Sequence, residues 1–152
     1  MADHDLATMR IALAEAQAAA AKGEAPVGAV ILNPVSGRII AKAGNAPISM
    51  SDPTAHAEIL ALREAAAASK NYRLEGLTLF VTLEPCAMCA GAISHARIAR
   101  VVFGAADEKG GAVIHGPRFF DQETCHWRPR VTGGVLAQQS ADVLRAFFAS
   151  RR

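Results

Sequence analysis

Apolar residues recur at Leu6, Met9, Leu13, Ala16 and Ala20, at alternating steps of three and four. That spacing predicts one face of an amphipathic helix, and Gly23 is placed to end it. Residues 27–32, V-G-A-V-I-L, are a short continuous apolar run and predict a buried strand. N-P-V-S-G supplies turn residues, and R-I-I-A-K-A-G predicts the hairpin partner. Beyond a loop holding Pro47 and Pro53, Thr54 is the expected N-cap of a second helix, with Ala55, Ile59, Leu62 and Ala66 as its apolar stripe. L-T-L-F-V-T-L, residues 77–83, predicts another strand. Pro85 suits the first turn of a third helix, where a missing N–H is no loss. That helix runs through Cys86, Cys89 and Ile93. I-A-R-V-V-F-G, residues 98–104, predicts a further strand, and a glycine-rich loop follows at 110–116. A last helix covers 138–150, with Val143, Leu144, Phe147 and Phe148 turned inward or toward a partner. Residues 112–134 show no readable period.

Strands alternating with helices predict an α/β fold. The expected form is a three-layer α/β/α sandwich with helices on both faces of one sheet. The chain length favours one domain, residues 1–152, with room for a hydrophobic core. There is no internal repeat, linker or low-complexity segment.

Composition narrows the class only a little. Half of the residues are apolar and few are aromatic, as in ordinary globular proteins. The formal charge of +2 is too small to single out a nucleic-acid partner, and it does not exclude one. Three cysteines cannot form a paired disulfide framework, which points to a reducing compartment. The start M-A-D-H-D-L is acidic and lacks the pattern of a signal peptide. The alanine-rich stretch 11–21 carries Glu15 and Gln17, and no run is long enough to span a bilayer. The expectation is a soluble cytoplasmic protein with no membrane partner.

The informative stretch is T-L-E-P-C-A-M-C-A, residues 82–90. Metal binding by cysteine needs thiolates, and the N–H groups at a helix start lower a thiol's pKa. Cys86 and Cys89, three apart on a first turn, share one face and can share one ion. Zinc takes four ligands in structural sites, and three plus water in catalytic ones. A histidine or a further cysteine must complete the set. His56, in T-A-H-A-E, stands at the start of the second helix, and Glu58 follows it. A carboxylate beside a zinc-activated water performs general acid–base work.

His-Ala-Glu followed by Pro-Cys-x-x-Cys resembles the zinc deaminase signature. The longer stretches N-A-P-I-S-M-S-D-P-T-A-H-A-E-I-L-A-L-R-E-A, N-Y-R-L, T-L-F-V-T-L-E-P-C-A-M-C-A-G-A-I and R-V-V-F-G-A-A-D-E-K-G-G-A resemble the bacterial tRNA-specific adenosine deaminase family. The likeness spans residues 5–152. The resemblance implies a cytidine deaminase-like fold, with a central mixed sheet of about five strands, and one zinc ion per subunit, held by His56, Cys86 and Cys89. It implies Glu58 as proton shuttle in hydrolytic conversion of adenosine to inosine, at the wobble position of a tRNA anticodon. Asn45 matches an asparagine that holds the target nucleoside. Glu24 and Pro26 match a loop lining the pocket, and Asp107 and Lys109 match positions near neighbouring anticodon nucleotides. Phe147, Phe148, Arg151 and Arg152 match a C-terminal helix that reaches the RNA. The family is homodimeric, each RNA loop touching both subunits. Paired Phe and paired Arg supply the stacking and phosphate chemistry that single-stranded RNA needs. Residues 113–130 depart from the commonest pattern of the family.

Plainer readings stand beside each of these. Cys86 and Cys89 can be a redox pair or half of a structural site. Cys125 as a fourth ligand would close that site to water and make the protein a zinc-stabilised binding module, not an enzyme. Cys125, His126 and His115 suggest a second metal site or simple loop packing, with packing favoured. His95 is structural or exposed. Asn45 suits a turn, Asp107 can cap its own loop, and Phe147 and Phe148 at helical spacing suit a core. Lys109, Arg151 and Arg152 suit solvent. Among enzymes, a free-base or nucleoside deaminase such as a guanine deaminase shares the same zinc and glutamate pattern.

Overall fold

The computed structural model describes residues 3–151. Its elements run α1 (Asp3–Ala21), β1 (Gly28–Leu32), β2 (Ile39–Gly44), α2 (Pro47–Met50), α3 (Ala57–Ser69), β3 (Thr78–Leu83), α4 (Ala87–His95), β4 (Arg100–Ala105), a 3-10 turn Phe119–Asp121, β5 (Arg130–Thr132) and α5 (Ala137–Ala149). The five strands form one mixed sheet in the order β2-β1-β3-β4-β5. β1 is antiparallel to both β2 and β3, while β3–β4 and β4–β5 are parallel. A parallel pair needs a crossover, and α4 supplies the one between β3 and β4.

Side chains alternate across the strands and divide the core in two. Ala29, Ile31, Leu79, Val81, Val101 and Phe103 face α3 and α4, where they meet Ala57, Ala61, Leu62, Ala65, Ala90 and Ile93. Val30, Phe80 and Val102 face the other way, onto Met9 and Ala12 of α1. α5 lies beside α1 on that second face. The three layers are therefore α1/α5, sheet, and α3/α4.

Two glycines set how close the helices come. A Cβ at Gly28 would stand 1.9 Å from the Ala12 carbonyl oxygen, so α1 rests directly on the β1 backbone. A Cβ at Gly104 would stand 2.5 Å from Ser140 Oγ, so α5 approaches β4 in the same way. Arg100 of β4 grips Asp5 of α1 through two hydrogen bonds, at 3.0 and 2.7 Å, and also donates to Thr132 of β5. This pair ties three elements at one edge.

The expected elements appear, with corrections at their ends. Thr54 does not cap the second helix. Its hydroxyl donates to Asp52 Oδ1 at 2.7 Å in a local turn, and α3 begins three residues later with His56 as N-cap. Pro85 lies before α4 and not in its first turn. The Glu84 N–H still bonds to Ala105 across the sheet, and Cys86 is the N-cap. A residue ahead of proline is held extended, which keeps the chain on the sheet one step longer. The stretch without a readable period contains β5 and the 3-10 turn. Phe147 is half-buried and Phe148 is 51 % exposed, so neither belongs to the core. Among the described residues no helix is long and apolar enough to cross a membrane.

Candidate active site

α3 and α4 both start at the same end of the sheet. Their N-cap residues are His56 and Cys86, and neither makes a side-chain capping bond. The cap positions, usually given to Ser, Thr, Asp or Asn, are here occupied by groups with ligand chemistry. His56 Nδ1 lies 3.5 Å from Cys89 Sγ and 3.7 Å from Cys86 Sγ, and the three ligand atoms lie within 4.8 Å of one another. A tetrahedral zinc site with Zn–S near 2.3 Å has edges of roughly 3.5–3.8 Å, so the spacing fits. One imidazole nitrogen and two thiols also suit zinc over harder cations. Three protein ligands leave a fourth position free.

The hydrogen bond from Cys89 brings the Cys86 thiol down to about 5, against burial that works upward. The same hydrogen bond, then burial, pushes the Cys89 thiol up. Cys89 is fully buried, while Cys86 and His56 are half-buried and face the cavity.

Glu58 sits in the first turn of α3 and is 4 % exposed. Burial pushes its carboxyl up to about 7. A buried carboxyl beside the metal-competent group is placed to accept and release a proton. The cavity around it has a volume of about 310 Å³. His56, Glu58 and Cys86 line its floor, Asn45 and Val27 one side, Asp107 and Gly110 another, and Leu144 and Phe148 of α5 the outer wall. It opens beyond the carboxyl ends of β3 and β4, the usual ligand position in α/β sheets.

The sequence profile of the cytidine and deoxycytidylate deaminase zinc-binding region matches residues 2–105. The chain is 51 % identical to the tRNA-specific adenosine deaminase of Agrobacterium fabrum over 144 residues, 95 % of this chain and 93 % of the relative. This chain belongs to the tRNA-specific adenosine deaminase family. A solved structure from a study of A-to-I editing by tRNA:A34 deaminases at the wobble position superposes with a TM-score of 0.87. It is 51 % identical, over 90 % of this chain and 97 % of that one. A guanine deaminase from Nitrosomonas europaea superposes with a TM-score of 0.78 at 26 % identity, over 95 % of this chain and 84 % of that one. The fold is thus cytidine deaminase-like and the centre is a zinc site.

Within this deaminase frame, the residues expected to touch substrate separate into three groups. Asn45, Asp107 and Phe148 line the cavity. Asn45 Oδ1 accepts the Ala57 N–H, which fixes its carboxamide beside the start of α3. Asp107 also caps its own loop, since its Oδ1 accepts the N–H groups of Lys109 and Gly110. Lys109 lies outside the cavity, in a neighbouring groove that shares Asp107 and Phe148. The Phe147 ring meets Phe148 edge-on at 5.3 Å and carries the Arg151 guanidinium 4.1 Å from its centroid. Arg152 lies outside the described residues.

The loop that carries Glu24 and Pro26 meets the cavity through their neighbours. Ala25 and Val27 line the cavity, and Glu24 and Pro26 do not. A tight turn closes around Pro26, where the Val27 N–H donates to the Ala25 carbonyl at 2.9 Å. The Glu24 carboxylate turns away and accepts the N–H groups of Ile48 and Ser49. Burial acts to raise its pKa, but the Ser49 and Ile48 donors outweigh it and hold the carboxyl below its ordinary value.

Cys125 is no fourth ligand. It is buried with its thiol donating to the Trp127 carbonyl at 3.1 Å and in contact with Ser94 Oγ at 3.5 Å. Among the described residues, His56, Cys86 and Cys89 are the metal-competent group. Cys125, His126 and His115 form no second one.

Glu84 was not singled out by the sequence, though it stands in the cysteine motif itself. Its carboxylate is fully buried, at the end of β3 and on the cavity wall. Burial acts to raise it, but the Asp107 N–H, His115 and the N–H groups of Ile114 and Val113 outweigh that and hold it below the ordinary range. Its only local signal was an acidic residue between a strand and a proline.

Proposed function

We infer that this chain catalyses hydrolytic deamination of adenosine to inosine at the wobble position of a tRNA anticodon, within a single domain over residues 1–152. The observation that carries this is the buried Glu58 beside the His56, Cys86 and Cys89 cluster, with Glu58, His56 and Cys86 lining one cavity. The relatedness to tRNA-specific adenosine deaminases selects the substrate.

His56, Cys86 and Cys89 hold the zinc. When bound, the metal acts as a Lewis acid that lowers the pKa of water and supplies the nucleophile at neutral pH. Glu58 would accept the first water proton at its carboxylate and deliver it to the adenine ring nitrogen, then take the second from the hydroxyl added to the ring carbon and deliver it to the departing amine. Water and adenosine go in, and ammonia and inosine come out. Asn45 holds the nucleoside through its free amide N–H groups. The target base is reached by flipping it out of the anticodon loop, which a single-stranded loop permits at low cost. Phe148 and the Phe147–Arg151 pair offer stacking and a cation at the outer wall.

We further propose a cytoplasmic homodimer. An apolar groove of about 410 Å³ between α3 and α4, with Ile59, Leu62, Leu74 and Ala92 among its walls, offers a surface for the second copy.

A free-base deaminase is the competing enzyme reading, since the guanine deaminase superposes on the same frame. The 51 % identity to a tRNA-specific relative, against 26 % to the guanine deaminase, weighs for RNA. The test compares product formation on an adenosine-bearing anticodon stem-loop, free adenosine, guanine and cytidine. Turnover confined to the stem-loop, falling steeply with added salt, supports the RNA reading. Turnover confined to a free base or nucleoside overturns it and leaves the chemistry standing.

A further inference from the structure

Glu84 is the point where the loop after β4 is tied to the strand that leads into the metal motif. Oε1 accepts the Asp107 N–H at 2.9 Å and faces His115 Nδ1 at 2.8 Å. Oε2 accepts the N–H groups of Val113, Ile114 and His115, at 3.1, 2.9 and 3.1 Å. An ionised carboxylate only accepts hydrogen bonds, so Nδ1 carries the proton in this contact. The segment crosses the carboxylate so closely that a Cβ at Gly111 would stand 2.4 Å from Glu84 Cδ. The Ala112 N–H adds a bond to the Pro85 carbonyl at 2.9 Å. Asp107 and Gly110, which line the cavity, belong to the span held by these bonds.

His115 is the one side-chain donor of the set, and its ring is partly exposed while its partner is not. Backbone donors are available whatever the sequence. The imidazole is the one member of the set that depends on the identity of its side chain. We propose that His115, acting through Glu84, is a positioning residue for substrate binding: the pair latches residues 107–115 so that Asp107 and Gly110 stand at the cavity mouth. Its kinetic arm rests on the stem-loop substrate proposed above.

The test uses the zinc-loaded full chain with His115→Leu, His115→Asn and Gly111→Ala. Asparagine keeps an N–H donor near the position of Nδ1, and leucine does not. Hydrogen exchange at the amides of residues 107–115 should quicken by about tenfold or more in His115→Leu and return toward wild type in His115→Asn. On the stem-loop, KM should rise by about fivefold or more in His115→Leu with kcat within about twofold, and His115→Asn should recover most of it. Gly111→Ala should reproduce the leucine phenotype, with zinc content unchanged. Unaltered exchange in His115→Leu overturns the latch. Faster exchange with an unmoved KM, or asparagine no better than leucine, overturns the positioning role. A wild-type protein inactive on the stem-loop would remove the proposed substrate, and the exchange arm would still decide the latch.

Discussion

The Ala57 N–H donates to Asn45 Oδ1 at 3.1 Å. An amide N–H can donate only to the carboxamide oxygen, so this bond orients Asn45 and leaves its NH₂ group for the cavity it lines. It also joins the end of β2 to the first residue of α3, one position from His56. Asn45 and the metal-competent His56 are thus set by the same helix start.

Asn45→Asp keeps an acceptor for Ala57 and removes the donor that faces the substrate. The expected result is a fall in kcat/KM of about a hundredfold, near 2.7 kcal/mol of transition-state stabilisation, with zinc content unchanged. Near-wild-type kinetics in Asn45→Asp would contradict that role.

The metal centre draws on two helix starts and so bears on stability. At free zinc about 100 times its Kd, binding adds about 2.7 kcal/mol, or roughly 5–10 °C in Tm for a chain of this size. Chelation should lower Tm by that order, and Cys86→Ser should show the low value with or without added zinc. A Tm insensitive to chelation, in protein first shown to carry zinc, would contradict the assignment.

Glu24 predicts a pH signature. Its carboxyl is held below the ordinary 4.5 by the Ser49 and Ile48 N–H groups despite burial. A carboxylate with a lowered folded-state pKa stabilises fully above its unfolded value, and that stabilisation is lost as pH falls through the folded-state value. The stability difference between wild type and Glu24→Gln should therefore be largest at neutral pH and shrink on acidification below 4.5. Denaturant titrations across that range check it. A difference constant with pH would show that the charge plays no part.

Asp5 and Arg100 make the bidentate pair that ties α1 to β4, with side-chain exposures of 9 % and 24 %. Asp5→Ala leaves a largely buried guanidinium with one partner, Thr132. It should cost about 2–4 kcal/mol in urea unfolding, with the m-value unchanged. A loss under about 0.5 kcal/mol would place this pair with ordinary surface ion pairs.

The metal-competent group was legible because each member is a side chain with its own chemistry, although the helix starts themselves were misplaced, with Thr54 and Pro85 both lying ahead of them. The sheet was legible where strands are buried on both faces, as in V-G-A-V-I-L and L-T-L-F-V-T-L. β5 was not, because R-V-T is a three-residue edge strand, half exposed and without a period. Glu84 escaped notice because four of its donors are backbone N–H groups, 23 to 31 residues downstream, and a backbone donor leaves no trace in sequence. Phe147 and Phe148 show the limit of helical spacing, which puts residues on faces without saying which face meets solvent. Glu24 shows a similar limit, since its donors are backbone N–H groups of Ile48 and Ser49, 24 and 25 residues downstream.

The most direct test of the central claim is inosine formation on an adenosine-bearing anticodon stem-loop by zinc-loaded wild type and zinc-loaded Glu58→Ala, side by side. The account predicts turnover by the wild type and a loss of about a hundredfold to ten-thousandfold in the variant, with equal zinc in both. Comparable turnover in metal-loaded Glu58→Ala would contradict the assigned proton shuttle, and silence from the zinc-loaded wild type would contradict the activity itself.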